Sequence, residues 1–152
     1  MTNIYIDEDE GKRAISSRIL ANSAIAKNIS IDSESEIKGS VLGVGCRVGK
    51  NVRIFNSIIG QKVNIGDNCV ITNSIIQSNV TIGASTTISK GVMIGEGVEV
   101  NHNVEIAPYS ICSLFTYDTD EKDFKLSDSS SQTNYFKDGK GLKTYIPTHL
   151  RL

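Results

Sequence analysis

His102 is the side chain of this 152-residue sequence whose type and position best suit acid–base chemistry. An imidazole ionises near neutral pH, so a histidine can act as a general base that deprotonates an acceptor hydroxyl or amine. His102 lies in the segment 100–104, Val-Asn-His-Asn-Val, within a regular apolar repeat. The competing interpretation is an exposed histidine at a corner, since its place in the repeat directs the side chain outward. The sequence favours the exposed histidine and predicts no catalytic residue.

Cys46, Cys69 and Cys112 lack the spacings that are typical of metal-binding cysteines. Cys46 and Cys69 fall on inward positions of the repeat, which predicts small buried thiols in a reducing compartment. The segment Gly43-Val44-Gly45 lacks the strand-to-helix context of a phosphate-binding loop. The sequence therefore predicts no metal site, no cofactor and no cofactor-binding residue.

The elements that position these side chains are indicated by aliphatic residues recurring at steps of six, six and five. Such steps fit neither an α-helix nor a half-buried strand, whose periods are 3.6 and 2. They fit a three-sided prism in which each side takes about six residues and three sides close one coil. The steps add to 17 residues, until the step after Ile88 lengthens to six. The leading aliphatic residues are Ile25, Ile31, Ile37, Leu42, Val48, Ile54, Ile59, Ile65, Ile71, Ile76, Ile82, Ile88, Ile94, Val100 and Ile106.

A second residue of each side is expected to point inward, four positions after the leading aliphatic residue. These residues are small or β-branched, as a crowded interior favours. Glycine often follows the leading residue, where we expect it to provide the backbone angles of a corner. The expected second inward residues are Ile29, Ser35, Val41, Cys46, Val52, Ile58, Val63, Cys69, Ile75, Val80, Thr86, Val92, Val98, Val104 and Ser110. The glycines are Gly43, Gly49, Gly60, Gly66, Gly83 and Gly95.

The repeat divides the chain into four parts. Residues 1–19 form a lead-in, residues 20–112 the β-helix, residues 113–134 an acidic and serine-rich linker, and residues 135–152 a short return segment. The linker holds too few apolar side chains to order itself. Asp138-Gly139 between apolar residues predicts a hairpin turn. The predicted fold is an all-β parallel β-helix of about five coils, ~4.8 Å apart, with a largely irregular C-terminal tail.

Charge and hydropathy argue against several kinds of partner. The formal net charge of −1 does not favour nucleic acid. No apolar run approaches the ~20 residues of a membrane span, and residues 1–10 lack a signal-peptide pattern, so we expect a cytoplasmic protein. Phe55 occupies an outward position where other columns hold glycine or polar residues, and exposed aromatics on flat faces are typical of interfaces. Phe55 is therefore the predicted interface residue.

Several segments carry a family resemblance, namely SVLGVGCRVGKNVRIFNSIIGQKVNIGDNCVITNSII, ITNSIIQSNVTIG, VEVNHNVEIAPYSIC and DGKGL. They resemble the β-helix of nucleotidyltransferase-like proteins, and within that group the epsilon subunits of eukaryotic translation initiation factor two-B. The resemblance covers roughly residues 14–142, and the Gly-Lys-Gly of residues 139–141 separates epsilon from gamma subunits. It implies a left-handed coil, which the periodicity alone does not show and which is an exception to the right-handed crossover rule.

The resemblance also implies a function. Proteins of this family are guanine-nucleotide exchange factors, whose exchange activity lies in a C-terminal helical-repeat domain helped by an N-terminal nucleotidyltransferase-like domain. No catalytic residue of the family maps onto this chain, so the expected role is a non-enzymatic scaffold. The expected partners are the gamma subunit, other subunits of the factor and the GTPase substrate. The alternatives are a hexapeptide-repeat acyltransferase that uses His102 and the oligomerising arm of a sugar-nucleotide pyrophosphorylase.

Overall fold

The computed structural model describes residues 4–6, 18–19, 22–113, 115–117, 124–126 and 143–145. All the secondary-structure elements within these residues are β-strands. Three sheets, whose strands are parallel apart from Lys143–Tyr145, form the flat sides of a β-helix of about five coils, so the fold that the repeat predicts is confirmed. In the part of the chain that the structure describes, no helix is long and apolar enough to cross a membrane.

Each side of the β-helix is one sheet, which we name after a residue on it. The Val41 face comprises the strands Ile4–Ile6, Ser23–Ile25, Val41–Leu42, Ile58–Ile59, Ile75–Ile76, Met93–Ile94, Ile111–Ser113 and Lys143–Tyr145. The Arg47 face comprises Ser30–Ile31, Arg47–Val48, Asn64–Ile65, Thr81–Ile82 and Glu99–Val100. The Arg53 face comprises Arg18–Ile19, Glu36–Lys38, Arg53–Phe55, Val70–Thr72, Thr87–Ile88 and Glu105–Ile106.

The strands of consecutive coils pair residue by residue along each face. In the first coils a strand residue pairs with the residue 17 positions further along the chain, as Ile65 does with Ile82. Ile82 then pairs with Val100, one residue further away, so the lengthened step after Ile88 is part of the fold. The extra residue lies in the corner formed by residues 89–92. The periodicity of the sequence therefore predicts the pairing of the strands correctly.

The core is built from the leading aliphatic residues, all of which are buried from Ile25 to Ile106. Members of one column, such as Ile54, Ile71 and Ile88, pair in register along the axis and are completely buried. Fully burying one such side chain contributes about 1.5–3 kcal/mol. Stacked aliphatic layers thus take the place of a globular core.

The predicted second inward position is wrong at three places. Val41, Ile58 and Ile75 point outward, and Ile58 is 53% exposed. The buried residues at these places are serines, of which Ser40 and Ser57 precede Val41 and Ile58 directly. The error occurs only at the steps of five residues. At the six-residue steps the predicted residues, for example Cys46 and Val63, are buried, and Val104 is partly buried.

The cause of the error is the position of the corner within the step. In both kinds of step the inward residue directly follows a residue with left-handed backbone, as Cys46 follows Gly45 and Ser57 follows Asn56. In a step of five residues this corner comes one residue sooner after the leading residue. The alternation of inward and outward side chains that follows the corner is therefore shifted by one residue. The second inward residue therefore lies two positions before the next leading residue in every step, and counting forward by four fails in the short one.

The serines of the short steps form a buried hydrogen-bonded column that begins at Ser23. Ser57 N–H donates to Ser40 Oγ at 3.1 Å, and Ser74 N–H donates to Ser57 Oγ at 3.2 Å. Ser57 Oγ itself donates to the Phe55 carbonyl at 2.8 Å. The hydroxyls of Ser40 and Ser57 therefore each accept from a backbone N–H of the next coil and donate to a carbonyl of their own coil, so both buried hydroxyls are paired.

The glycines that follow leading residues serve close packing, and the predicted reason for them is wrong. None of the six has a positive φ. A Cβ at Gly43 would lie 2.6 Å from the Gly60 carbonyl oxygen, and one at Gly60 would lie 2.7 Å from the Gln77 carbonyl carbon. Among non-glycine residues, the left-handed backbone falls mostly on asparagines such as Asn56 and Asn73, which tolerate it better than most other side chains.

The chain outside the coils contributes strands at several points. Ile4–Ile6 pairs with Ser23–Ile25, and Lys143–Tyr145 pairs antiparallel with Ile111–Ser113, so both extend the Val41 face. Phe115–Tyr117 and Phe124–Leu126 pair antiparallel within the predicted linker. The predicted turn at Asp138-Gly139 and the Gly-Lys-Gly segment lie outside the described residues.

Adjacent residues on one strand provide a test of the inward and outward assignment. Ile59 is 1% exposed and Ile58 is 53% exposed. We expect Ile59→Asp to leave little soluble folded protein, because burying an unpaired carboxylate costs several kcal/mol. Ile58→Asp should change the free energy of unfolding by no more than about 1 kcal/mol. Thermal melts followed by circular dichroism compare the two, and equal losses would contradict the assignment.

The serine column makes a second stability prediction. Ser57→Ala leaves the buried Ser74 N–H without its acceptor, so we expect a loss of about 1–3 kcal/mol in the free energy of unfolding. Ser78→Ala is the matched control, because Ser78 Oγ accepts the Gln61 N–H at 3.0 Å in an exposed place where water can replace it. The control should lose less than about 0.5 kcal/mol in urea unfolding. A Ser57→Ala loss as small as that of the control would show that the buried column is dispensable.

Candidate functional site

His102 stands alone at an exposed corner that follows the strand Glu99–Val100. Its predicted outward position is confirmed. Within residues 22–113 no side chain is hydrogen-bonded to its ring, and no group of three metal-ligating residues occurs there. General-base catalysis by a histidine generally needs a group that orients the ring and a second one that it activates. The described residues assemble neither around His102.

The cysteines lie inside the coils, as the repeat predicts. The thiol of Cys46 donates to the Gly60 carbonyl at 3.0 Å, and that of Cys69 donates to the Gly83 carbonyl at 3.2 Å. Burial raises the pKa of both thiols above the ordinary value, although hydrogen bonds to the backbone act in the other direction. Cys112 is buried too. A buried protonated thiol is a poor nucleophile, so these side chains belong to the core.

The outer surface of the Val41 face carries a continuous apolar column. Residues of successive coils stack in register there, and four of them are more than 40% exposed. Isolated exposed apolar side chains are ordinary, whereas a contiguous row is typical of a binding surface. The column, which we call the apolar column, is Ala24, Val41, Ile58, Ile75, Met93 and Ile111.

The corresponding outward columns of the other two faces are mostly polar. On the Arg47 face the column is Ser30, Arg47, Asn64, Thr81 and Glu99. On the Arg53 face it is Glu36, Arg53, Val70, Thr87 and Glu105. Polar outer residues keep a sheet face solvated. Because the contrast lies between faces of the same rod, the apolar column is a property of one face and not of the fold.

A hollow of about 270 Å³ interrupts the Val41 face near its first coils. The small side chains of Ala24 and Ala26 form part of its lining, with Val41, Val44 and Lys27 beside them. Small residues next to larger ones leave a depression that a side chain of a partner can enter. Interfaces concentrate their binding energy at such pockets. The hollow is therefore a candidate anchoring point on this face.

An aromatic residue marks the opposite end of the same face. Tyr109 is 44% exposed and has a left-handed backbone with φ of 62°. The Lys90 ammonium lies 5.6 Å from the centre of its ring. A Cβ at Gly91 would collide with this ring, so the glycine allows the tyrosine to lie against the preceding coil. Exposed tyrosines of this kind are enriched at interfaces.

Phe55, the interface residue predicted from the sequence, points outward on the Arg53 face but is only half-buried. Lys38 and Thr72 flank it in register on the adjacent coils. The sequence prediction missed the apolar column because it placed Val41 and Ile58 inside. The signal that would have found the column is the serine two positions before the leading residues Leu42, Ile59 and Ile76.

A family model described as the EIF2B subunit epsilon LbH domain matches residues 1–106 of the chain. LbH denotes a left-handed β-helix, so the handedness expected from the resemblance is confirmed. No curated protein sequence matches the chain significantly.

Among solved structures the chain is similar to a mutant of perosamine N-acetyltransferase from Caulobacter crescentus in complex with CoA and GDP-perosamine. The TM-score is 0.55 and the identity 14%, over 71% of this chain and 50% of that one. It is also similar to a hexapeptide transferase family protein from Anaplasma phagocytophilum, with a TM-score of 0.49 and 18% identity over 71% and 68% of the two chains. The chain thus spans half the length of the acetyltransferase, and the likeness shows the fold alone.

The buried thiols make a prediction about pH. Because folding raises the pKa of Cys46 and Cys69, the folded state keeps protons that the unfolded thiols lose above about pH 8.5. The thiol contribution to stability should be constant below that pH and fall as pH rises through the higher folded pKa. Urea unfolding at about pH 7 and about pH 10 measures the fall. The control is the double variant Cys46→Ser/Cys69→Ser, which should lose less stability between these two pH values. An equal loss in the variant would show that groups other than the thiols cause it.

Proposed function

The chain belongs to the family of EIF2B subunit epsilon LbH domains, and we propose that it is the non-catalytic scaffold domain of such a translation factor subunit. The observation that carries the proposal is the apolar column on the Val41 face. A row of exposed apolar side chains that stack along a rigid rod offers a flat, preformed surface for protein–protein contact. The other two faces, which are mostly polar, do not offer it.

The partner that we propose is the gamma subunit of the same exchange factor. The family supports this choice, since its members are subunits of one assembly. Other subunits and the GTPase substrate are further proposed partners. We place the protein in the cytoplasm, and we assign guanine-nucleotide exchange to other domains of the full-length subunit.

We propose further that this chain carries no enzymatic activity of its own. In support, the exposed His102 ring has no orienting partner among the described residues. The fold likeness to an acetyltransferase does not argue for acyl transfer at 14% identity. Saturable binding of acetyl-coenzyme A, abolished by His102→Ala, would instead favour the acyltransferase alternative.

Binding to a purified gamma subunit tests the scaffold proposal. We expect a micromolar dissociation constant for the wild-type chain, about −8 kcal/mol, because one flat face offers a small contact. Ile58→Asp should weaken binding at least about tenfold, since it places a carboxylate in the middle of the apolar column. Phe55→Ala, on the neighbouring face, should weaken it less. Calorimetric titration at high protein concentration measures all three.

The matched control is Asn64→Asp, which adds the same carboxylate to the Arg47 face. Asn64 is exposed on a strand of the same coil, between Arg47 and Thr81 in register. Its affinity for gamma should stay within about twofold of wild type. Equal affinities for wild type and a folded Ile58→Asp variant would exclude the Val41 face. An absence of binding at every concentration would exclude gamma as the partner.

A further inference from the structure

We propose that the partner surface which docks on the Val41 face is apolar at its centre and acidic at its edge. The inference rests on the proposed function and adds the chemistry of the partner. Its basis is the charge at the two corners that border the face. Opposite charges around an interface steer association and select the partner, while the apolar centre provides most of the affinity.

Lysines dominate both corners of the Val41 face. Lys27 and Lys62 are exposed at the corner toward the Arg47 face. Lys90 is exposed at the corner toward the Arg53 face, and so is Lys38, which ends the strand Glu36–Lys38 beside that corner. Within residues 22–113 the single carboxylate at these two corners is that of Glu96. Its Oε1 accepts a hydrogen bond from Asn79 Nδ2 at 2.9 Å, which partly satisfies that carboxylate. Among the described residues, the rim of the apolar column therefore carries four lysines against one carboxylate.

The third corner, between the Arg47 and Arg53 faces, has the opposite balance. The charged residues there are Asp32, Glu34, Lys50 and Asp67, so carboxylates outnumber lysines. The lysine excess is thus confined to the two edges of the apolar face. A solvated corner needs no particular sign of charge. Because the lysines border the same face that carries the apolar column, we infer that the two form one binding surface.

The rim reaches both the hollow and Tyr109. Lys27 lines the hollow together with Ala24 and Ala26, so an apolar side chain that entered it would bring its neighbours close to an ammonium group. At the other end Lys90 lies over the ring of Tyr109. A partner with carboxylates beside its apolar anchors would meet a cation at both ends of the column.

A second copy of this chain is a poor occupant of the face. If two Val41 faces met, the four lysines of one rim would lie along the four lysines of the other. Within residues 22–113, each rim offers only Glu96 as a compensating carboxylate. Juxtaposed like charges disfavour such a complex, while an acidic surface gains from the same lysines. The charge therefore favours a different protein over self-association.

Charge reversal at the rim tests the inference. The double variant Lys27→Glu/Lys62→Glu leaves the apolar column intact, and Lys50→Glu at the third corner is the matched control. At about 50 mM salt we expect the double variant to bind the gamma subunit at least about tenfold more weakly than wild type. The control should bind within about twofold of wild type. Raising the salt to about 300 mM should weaken the wild type and narrow its difference from the double variant.

The outcomes separate this inference from the proposed function. Binding that Ile58→Asp abolishes and the rim variant leaves unchanged would overturn the acidic rim and retain the scaffold. Sedimentation that shows a dimer of the chain, lost in Ile58→Asp and retained in the rim variant, would overturn it in favour of a second copy.

If gamma does not bind, two dyes decide the inference by themselves. One is the anionic dye anilinonaphthalene sulfonate, and the other is the neutral N-phenyl-1-naphthylamine, which has a similar apolar body. Lys27→Glu should weaken binding of the anionic dye about tenfold and leave the neutral dye unchanged, because Lys27 lines the hollow. An equal effect on both dyes, or none on either, would overturn the inference. Melting temperatures confirm that each variant is folded.

Discussion

The structure depends on hydrogen bonds that hold each coil directly above the last. Arg47 N–H donates to Val63 O at 2.9 Å, and Asn64 N–H repeats the bond to Val80 O at the same distance. Because these hydrogen bonds fix the spacing between coils, each side chain must pack against the equivalent side chain of the adjacent coil. Columns of one residue type follow from that restriction, and so do glycines such as Gly43 where the backbones come too close for a Cβ.

The same restriction explains how a regular rod acquires one distinctive face. A corner that is one residue shorter places Ser57 inside, where its hydroxyl accepts from Ser74 N–H of the next coil and donates to the Phe55 carbonyl of its own coil. Ile58 then points outward. The short corner recurs in three successive coils, so Val41, Ile58 and Ile75 align into a column. Met93 continues this column after the lengthened step, because the residue before the leading one points outward in steps of both lengths. Residues that hydrophobicity alone would assign to the core are available to a partner.

A β-helix with one apolar face suits a subunit of an assembly. The family match places the chain in a translation factor subunit, and the apolar column supports a docking role within it. Little reorganisation accompanies binding to a preformed sheet face, so a modest contact area can suffice for a specific complex. The lysines at its borders, among them Lys27 and Lys90, would select which proteins approach. Affinity and selectivity would then come from separate residues on one surface.

The amino-acid sequence by itself determined the class of fold and the strand pairing, because a leading aliphatic residue such as Ile65 recurs wherever the coil returns to the same side. It also predicted the buried thiols and the exposed His102. Only the tertiary structure decided that Val41 and Ile58 face outward, since that depends on where the backbone turns within a short step. It likewise decided that Phe55 is half-buried, because the neighbours that flank it belong to adjacent coils. Periodicity counts residues along the chain, whereas exposure depends on contacts between coils.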